Sequence, residues 1–286
     1  MKTIDMENYC VLTAPFLHHT LEYGLDAIAA NGFCSIELWG ASPHFCADDY
    51  TPSERAARIR EIRRLLSERG LKMAVFHPEQ CRQYPVNIAS PEAYIRRNSM
   101  RVMEMYLEDT AAFGTDKMIL APGWEYVDDQ REENRERAAE SIRILAEKAA
   151  RLGITLIVEE MEETVTLFTR DLAHLKRLIR EVGEANVMAG LDLSLALRRG
   201  ESIGDYRRTF GQIGHMHVSG PDDLRAEGNG IKEDGGTAGL TDLFRENGGR
   251  YEGVISLALW GADYYVDPDA ALRKVTDQIR AESRMG

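Results

Sequence analysis

Cysteine is scarce in these 286 residues, and its few copies are poorly placed to build structure. Cys10, Cys34, Cys46 and Cys81 all fall in the first third, with no Cys-x-x-Cys pair and no zinc-finger spacing. That excludes a disulfide scaffold and a thiolate metal cluster, and it fits a reduced environment. Long apolar runs are missing as well. None approaches the roughly 18–20 residues a membrane span needs. The opening segment MKTIDMENYCVL has no basic stretch leading into an apolar core, so no secretory signal is read there. A cytoplasmic protein with no membrane partner is expected. Positive charge is also short: 35 Lys and Arg face 47 Asp and Glu, a formal net charge of −12. Nucleic-acid binders usually present a basic face, so no nucleic-acid partner is expected. A Gly-x-Gly-x-x-Gly fingerprint, a Pro/Ser linker and low-complexity sequence are all absent. The first of these absences argues against a dinucleotide-binding domain.

What is present is rhythm. Short apolar runs alternate with amphipathic stretches from end to end. The predicted strands are Tyr9–Ala14, Phe33–Leu38, Leu71–Phe76, Lys117–Ala121, Ile154–Glu159, Val187–Asp192, Ile213–Val218 and Val254–Leu259. Each is aliphatic or β-branched and bounded by Gly, Pro or Asp. Helical spacing falls between them, as in Ser53–Arg69, Pro91–Phe113, Arg131–Arg151 and Asp171–Val182. Thr51 and Ser53 offer N-caps, while Gly70, Gly114, Gly153 and Gly183 stand where helix C-caps belong. A repeated βα unit with no shift in composition predicts a parallel sheet. Eight such units predict a single (β/α)8 barrel, also called a TIM barrel, spanning residues 1–286 as one domain.

In such a barrel, side chains at the C-terminal strand ends face the active-site mouth. Those ends carry Glu37, Trp39 and His44; His77 and Glu79; Trp124; Glu159 and Glu160; Asp192; His215 and His217; and Trp260. Glu159, Asp192 and His217 end three different strands. Two carboxylates and an imidazole suit a hard divalent ion such as Mn²⁺, Mg²⁺ or Co²⁺ with positions left for substrate. Each residue alone has a plainer role open to it. A strand-end carboxylate often caps the next helix, and a histidine between apolar neighbours is often a hydrogen-bonded core residue. Alternation puts His215 and His217 on the same side of their strand.

The stretches Ser35-Ile36-Glu37-Leu38-Trp39-Gly40, Pro43-His44-Phe45, Pro78-Glu79-Gln80, Leu156-Ile157-Val158-Glu159, His215-Met216-His217-Val218 and Tyr251-Glu252-Gly253 occur in an order that resembles a known family. These are the metal-dependent sugar isomerases and epimerases of the xylose-isomerase-like barrel, and within them the branch of the fructoselysine and ketose 3-epimerases. The resemblance spans nearly the whole chain. It implies a metal, Mn²⁺ foremost, held by Glu159, Asp192 and His217. It implies a small-molecule sugar as partner, with Glu37, Trp39, His44, His77, Glu79, Trp124, His215 and Trp260 as candidate substrate contacts. A homo-oligomer is a further expectation, with Arg96 and Arg97 starting a helix that could face a second copy.

The family's fourth ligand is a glutamate that doubles as the second acid/base group, and its position here is Ala258. An internal comparison supports that placement, since Ser35-Ile-Glu-Leu-Trp-Gly-Ala41 and Ser256-Leu-Ala-Leu-Trp-Gly-Ala262 differ only at Ile/Leu and at Glu37 versus Ala258. Other departures fall in the sugar-reading shell, where Val165, Leu195 and Gly220 replace the family's Glu, His and Asp. Three readings follow. One is a sugar 3-epimerase or isomerase with Glu159 as base, compromised at Ala258 by substitution or by natural divergence. The second is a lyase that cleaves 3-keto-glycosides by β-elimination with a single base. The third is a non-catalytic sugar-binding barrel.

Overall fold

The structure is a computed structural model that describes residues 6–81, 86–129, 132–218, 251, 253–259 and 265–285. Its strands are β1 (Tyr9–Leu12), β2 (Ser35–Gly40), β3 (Lys72–Pro78), β4 (Lys117–Ile119), β5 (Thr155–Val158), β6 (Val187–Asp192), β7 (His215–Val218) and β8 (Ile255–Leu257). They pair in sequence order, and β8 returns to β1 to close the barrel. Every pairing is parallel. The expected (β/α)8 barrel is therefore the observed fold. No helix among the described residues is long and apolar enough to cross a membrane.

The principal helices are α1 (Leu21–Ala30), α2 (Pro52–Glu68), α3 (Ala93–Phe113), α4 (Glu132–Arg151), α5 (Leu172–Val182), α6 (Leu193–Arg198), α7 (Ile203–Phe210) and α8 (Pro268–Met285). Their ends follow local chemistry. Thr51 caps α2 in a reciprocal box with Glu54, and Pro52 occupies the first turn, where a missing N–H is harmless. Asp171 caps α5 by accepting from the His174 backbone N–H. Gly114 ends α3 at φ +85°, a left-handed conformation that side chains resist.

Most of the apolar core lies between the barrel and its helices, with residues such as Ile36, Phe76, Met118, Leu156 and Leu191 meeting Ile62, Tyr106, Leu145 and Leu178. A small cluster of Val75, Ile119 and Ile157 is separate from it, and so is a patch of Leu12, Ala14 and Ala258 with Trp39 packed on it. Strand boundaries differ from the sequence expectation by at most two residues. β6 matches to the residue, whereas Glu159 and Ala258 each stand one position beyond the ladder of β5 and β8. Ala258 still donates its backbone N–H to the Val218 carbonyl at 2.9 Å.

Candidate metal and sugar site

The polar heart of the barrel is Glu37, which is completely buried. Its carboxylate accepts from His77 Nδ1 at 2.6 Å and from His215 Nε2 at 2.8 Å. It also meets His217 Nε2 at 3.0 Å from both oxygens. His217 reaches Glu159 Oε2 through its other nitrogen, Nδ1, at 2.7 Å. Alternation along β7 thus sends His215 and His217 inward together, as their spacing requires. Burial pushes the Glu37 carboxyl up, but the facing imidazoles overcome this and hold it well below the usual range. Burial pulls His217 down, yet Glu159 and Glu37 lift it well above an ordinary histidine. Each of its ring nitrogens faces a carboxylate, so the proton on Nδ1 must leave before that nitrogen can hold a metal ion.

Glu159, Asp192 and His217 line one cavity of about 640 Å³ at the C-terminal end of the strands, and Ala258 lines it with them. Asp192 is both a helix cap and a cavity-lining side chain. Its Oδ1 accepts from the Leu195 N–H at 2.9 Å and caps α6, while the side chain also faces the cavity. Burial, then the neighbouring Glu159 charge, pushes its pKa up to about 6. Burial likewise raises Glu159, but the facing His217 outweighs it and lowers the carboxyl. Gly190 on β6 makes room for this arrangement, because a Cβ there would lie 2.9 Å from the Glu159 Cβ.

The remaining candidates divide. Trp39, His77 and Glu79 line the cavity, and the Trp39 indole meets the His77 ring edge-on at 4.5 Å. Glu79 Oε1 also accepts from the Cys81 N–H at 2.7 Å. Glu37 and His215 lie beneath the cavity and not on its wall. His44 is buried elsewhere, its Nε2 2.9 Å from the His19 carbonyl and its own carbonyl bonded by Arg58. The backbone of Trp124 is clamped by Asn87, and its side chain is not on the cavity wall. Trp260 and Gly220 lie outside the described residues.

Two arrangements escaped sequence reasoning. Buried Glu160, next to Glu159, is held by Arg199 and by the Tyr206 hydroxyl, which braces the end of β5 from behind. Arg198 pairs with Glu162 at 2.8 Å on the cavity rim. The adjacent arginines Arg198-Arg199 at the end of α6 were the available signal, since one α-helical step of about 100° sends neighbours to different faces.

The donor chemistry fits a divalent ion. With Nε2–H donated to Glu37, the opposite ring nitrogen of His217 is aimed at Glu159, the carboxylate-to-imidazole support that ligating histidines usually have. Among the described residues, Glu37, His77 and His217 also bring ligand atoms within 4.8 Å of one another. That grouping is shut in because Glu37 has no exposed surface. Glu159, Asp192 and His217 instead face a space that a substrate can enter.

A barrel with a carboxylate–imidazole centre at its C-terminal mouth belongs to a definable class. The family described as xylose isomerase-like TIM barrel matches residues 25–282, and the chain belongs to it. Fructoselysine 3-epimerase of Escherichia coli O157:H7 is 22% identical over 266 residues, covering 91% of this chain and 93% of that protein. The structure of D-psicose 3-epimerase with D-fructose superposes with a TM-score of 0.73 at 19% identity, over 97% of this chain and 98% of that one. That of 3-keto-D-glucoside 4-epimerase from E. coli gives 0.71 at 18% identity, over 96% and 99%. Each of these similar proteins is named as a sugar epimerase.

Proposed function

We propose that this chain is a metal-dependent sugar epimerase or isomerase that moves a proton next to the carbonyl of a keto-sugar or ketosamine. The observation carrying this is the 2.7 Å contact of Glu159 with His217, with Asp192 beside them on the wall of one cavity. Glu159, Asp192 and His217 would hold the ion, Mn²⁺ ahead of Mg²⁺ or Co²⁺. When bound, such an ion polarises a carbonyl and its neighbouring hydroxyl and so acidifies the intervening C–H. Glu159 then removes that proton, because its carboxyl is kept ionised by His217. His77 and Glu79 orient the sugar from the β3 side. The fructoselysine and ketose epimerases named above invert a carbon centre, and inversion requires a proton donor on the opposite face.

Position 258 presents a methyl group there. This single feature favours a second reading, β-elimination from a 3-keto-glycoside, in which one base suffices and the electron pair left on carbon expels the glycosidic oxygen. Incubation with keto-sugars and Mn²⁺ in deuterated water separates the readings. Deuterium entering beside the carbonyl with retained mass otherwise supports epimerisation, and Ala258→Glu then raises inversion by roughly 10²–10⁴-fold. Release of an aglycone supports elimination. Sugar binding with neither outcome, even in Ala258→Glu, leaves a non-catalytic sugar-binding barrel.

A further inference from the structure

At the level of the strand ends the cavity has two chemically distinct arcs, with Met161, Val165 and Leu195 adding apolar surface above β5 and β6. Strands β5, β6 and β7 contribute Glu159, Asp192 and His217, whereas the contiguous strands β8, β1 and β2 contribute Ala258, Leu12 and Trp39. Leu17, in the turn that follows β1, extends the second arc towards the rim. Leu12, Ala14 and Ala258 form a patch of their own with Trp39 packed on it, separate from the main core. Leu12 and Ala258 are nearly buried and make a floor, while Trp39 and Leu17 are half-buried and make a wall. A free ketose is hydroxylated on every side. Seated against the polar arc, it would turn hydroxyls towards a surface whose side chains offer one indole N–H and no acceptor, so those groups would lose water without replacement. A volume of about 640 Å³ also lies within the range of pockets that hold ligands larger than one sugar ring.

We propose that the Leu12–Leu17–Trp39–Ala258 arc is an aglycone subsite, and that the substrate is a sugar carrying an uncharged aryl or alkyl substituent. The inference rests on the reading that the sugar itself sits at Glu159, Asp192 and His217. A flat aromatic group lies against the indole of Trp39 and over the methyl of Ala258, where a carboxylate would exclude it. The apolar area removed from water then adds to affinity without changing the polar contacts.

The test is calorimetric titration of the full chain in Mn²⁺ with D-fructose and with 1-deoxy-1-anilino-D-fructose, whose aryl amine is neutral at pH 7. The aryl conjugate should bind roughly 10–100-fold more tightly, the return expected from burying one aromatic ring. Leu17→Ser, a half-buried turn position outside the sugar contacts, should reduce that advantage several-fold and leave fructose affinity unchanged. A cyclohexylmethyl glycoside of a keto-sugar set against its methyl glycoside supplies a second measurement that needs no variant, and the larger alkyl group should again bind more tightly. Equal affinity for fructose and the anilino conjugate overturns the subsite while leaving the sugar reading in place. An advantage undiminished in Leu17→Ser also overturns it, because the aryl group then lies elsewhere. If neither fructose nor its conjugate binds, the sugar reading falls and the subsite falls with it.

Discussion

Glu37→Gln tests the electrostatic design of the barrel interior. The native carboxylate accepts from His77 at 2.6 Å and from His215 at 2.8 Å, and lies 3.0 Å from His217, with no exposure to water. Glutamine keeps the size, but it removes the charge that His77, His215 and His217 all face and turns an NH₂ group towards imidazole N–H groups. Breaking a buried charged contact by removing one partner costs about 3–5 kcal/mol. For a domain of this size each kcal/mol lowers Tm by roughly 2–4 °C, so a fall of about 6–20 °C is expected. The assay is thermal unfolding followed by circular dichroism at pH 7 without added metal. Glu37→Asp, which keeps the charge but shortens the reach, should lie between the two. A Glu37→Gln protein melting within about 2 °C of the native one would refute the reasoning, since an ionised hub cannot be neutralised so cheaply.

Gly190→Ala should destabilise the fold by about 1–3 kcal/mol through overpacking. It should also weaken Mn²⁺ binding, because the new Cβ meets the Glu159 Cβ and Ile157 Cγ2 at 2.9 Å; urea unfolding and a metal titration check the two effects. Thr51→Ala removes the capping box of α2 and should cost about 1 kcal/mol in the same unfolding assay. Asp109 is buried with Oδ2 unpartnered, and burial pushes its pKa up to about 7 despite Arg55. A carboxyl raised in the folded state contributes stability at low pH, and that contribution is lost as pH rises from its unfolded value near 3.8 through about 7. Urea midpoints measured from pH 5 to pH 8 should therefore decline in the native protein and flatten in Asp109→Asn.

Local pattern made much of this molecule legible in the sequence. β6 is bounded by Asn186 and the helix cap Asp192, and its limits were readable to the residue. The shared inward face of His215 and His217 followed from alternation alone. Glu37 as a hub was not readable, because its partners lie up to 180 positions away along the chain and meet only when the barrel closes. The echo of its segment around Ala258 marked the position without revealing the contacts. His44 matched a family stretch, yet its ring is tied to the His19 carbonyl away from the cavity. A motif carries residue types in order, but the turn geometry after β2 decides where they point. Asp192 shows the converse case, in which one side chain both caps a helix and lines the cavity, so neither sequence reading excluded the other.

The central claim is that Glu159, Asp192 and His217 share one divalent ion. Its most direct test is Mn²⁺ titration of the native chain beside Asp192→Asn, with free and bound metal separated by electron paramagnetic resonance. One Mn²⁺ per native chain is expected, with at least about tenfold weaker binding in the variant, as loss of a charged ligand requires. Absence of Mn²⁺ binding by the native chain, or equal affinity in both proteins, would contradict it.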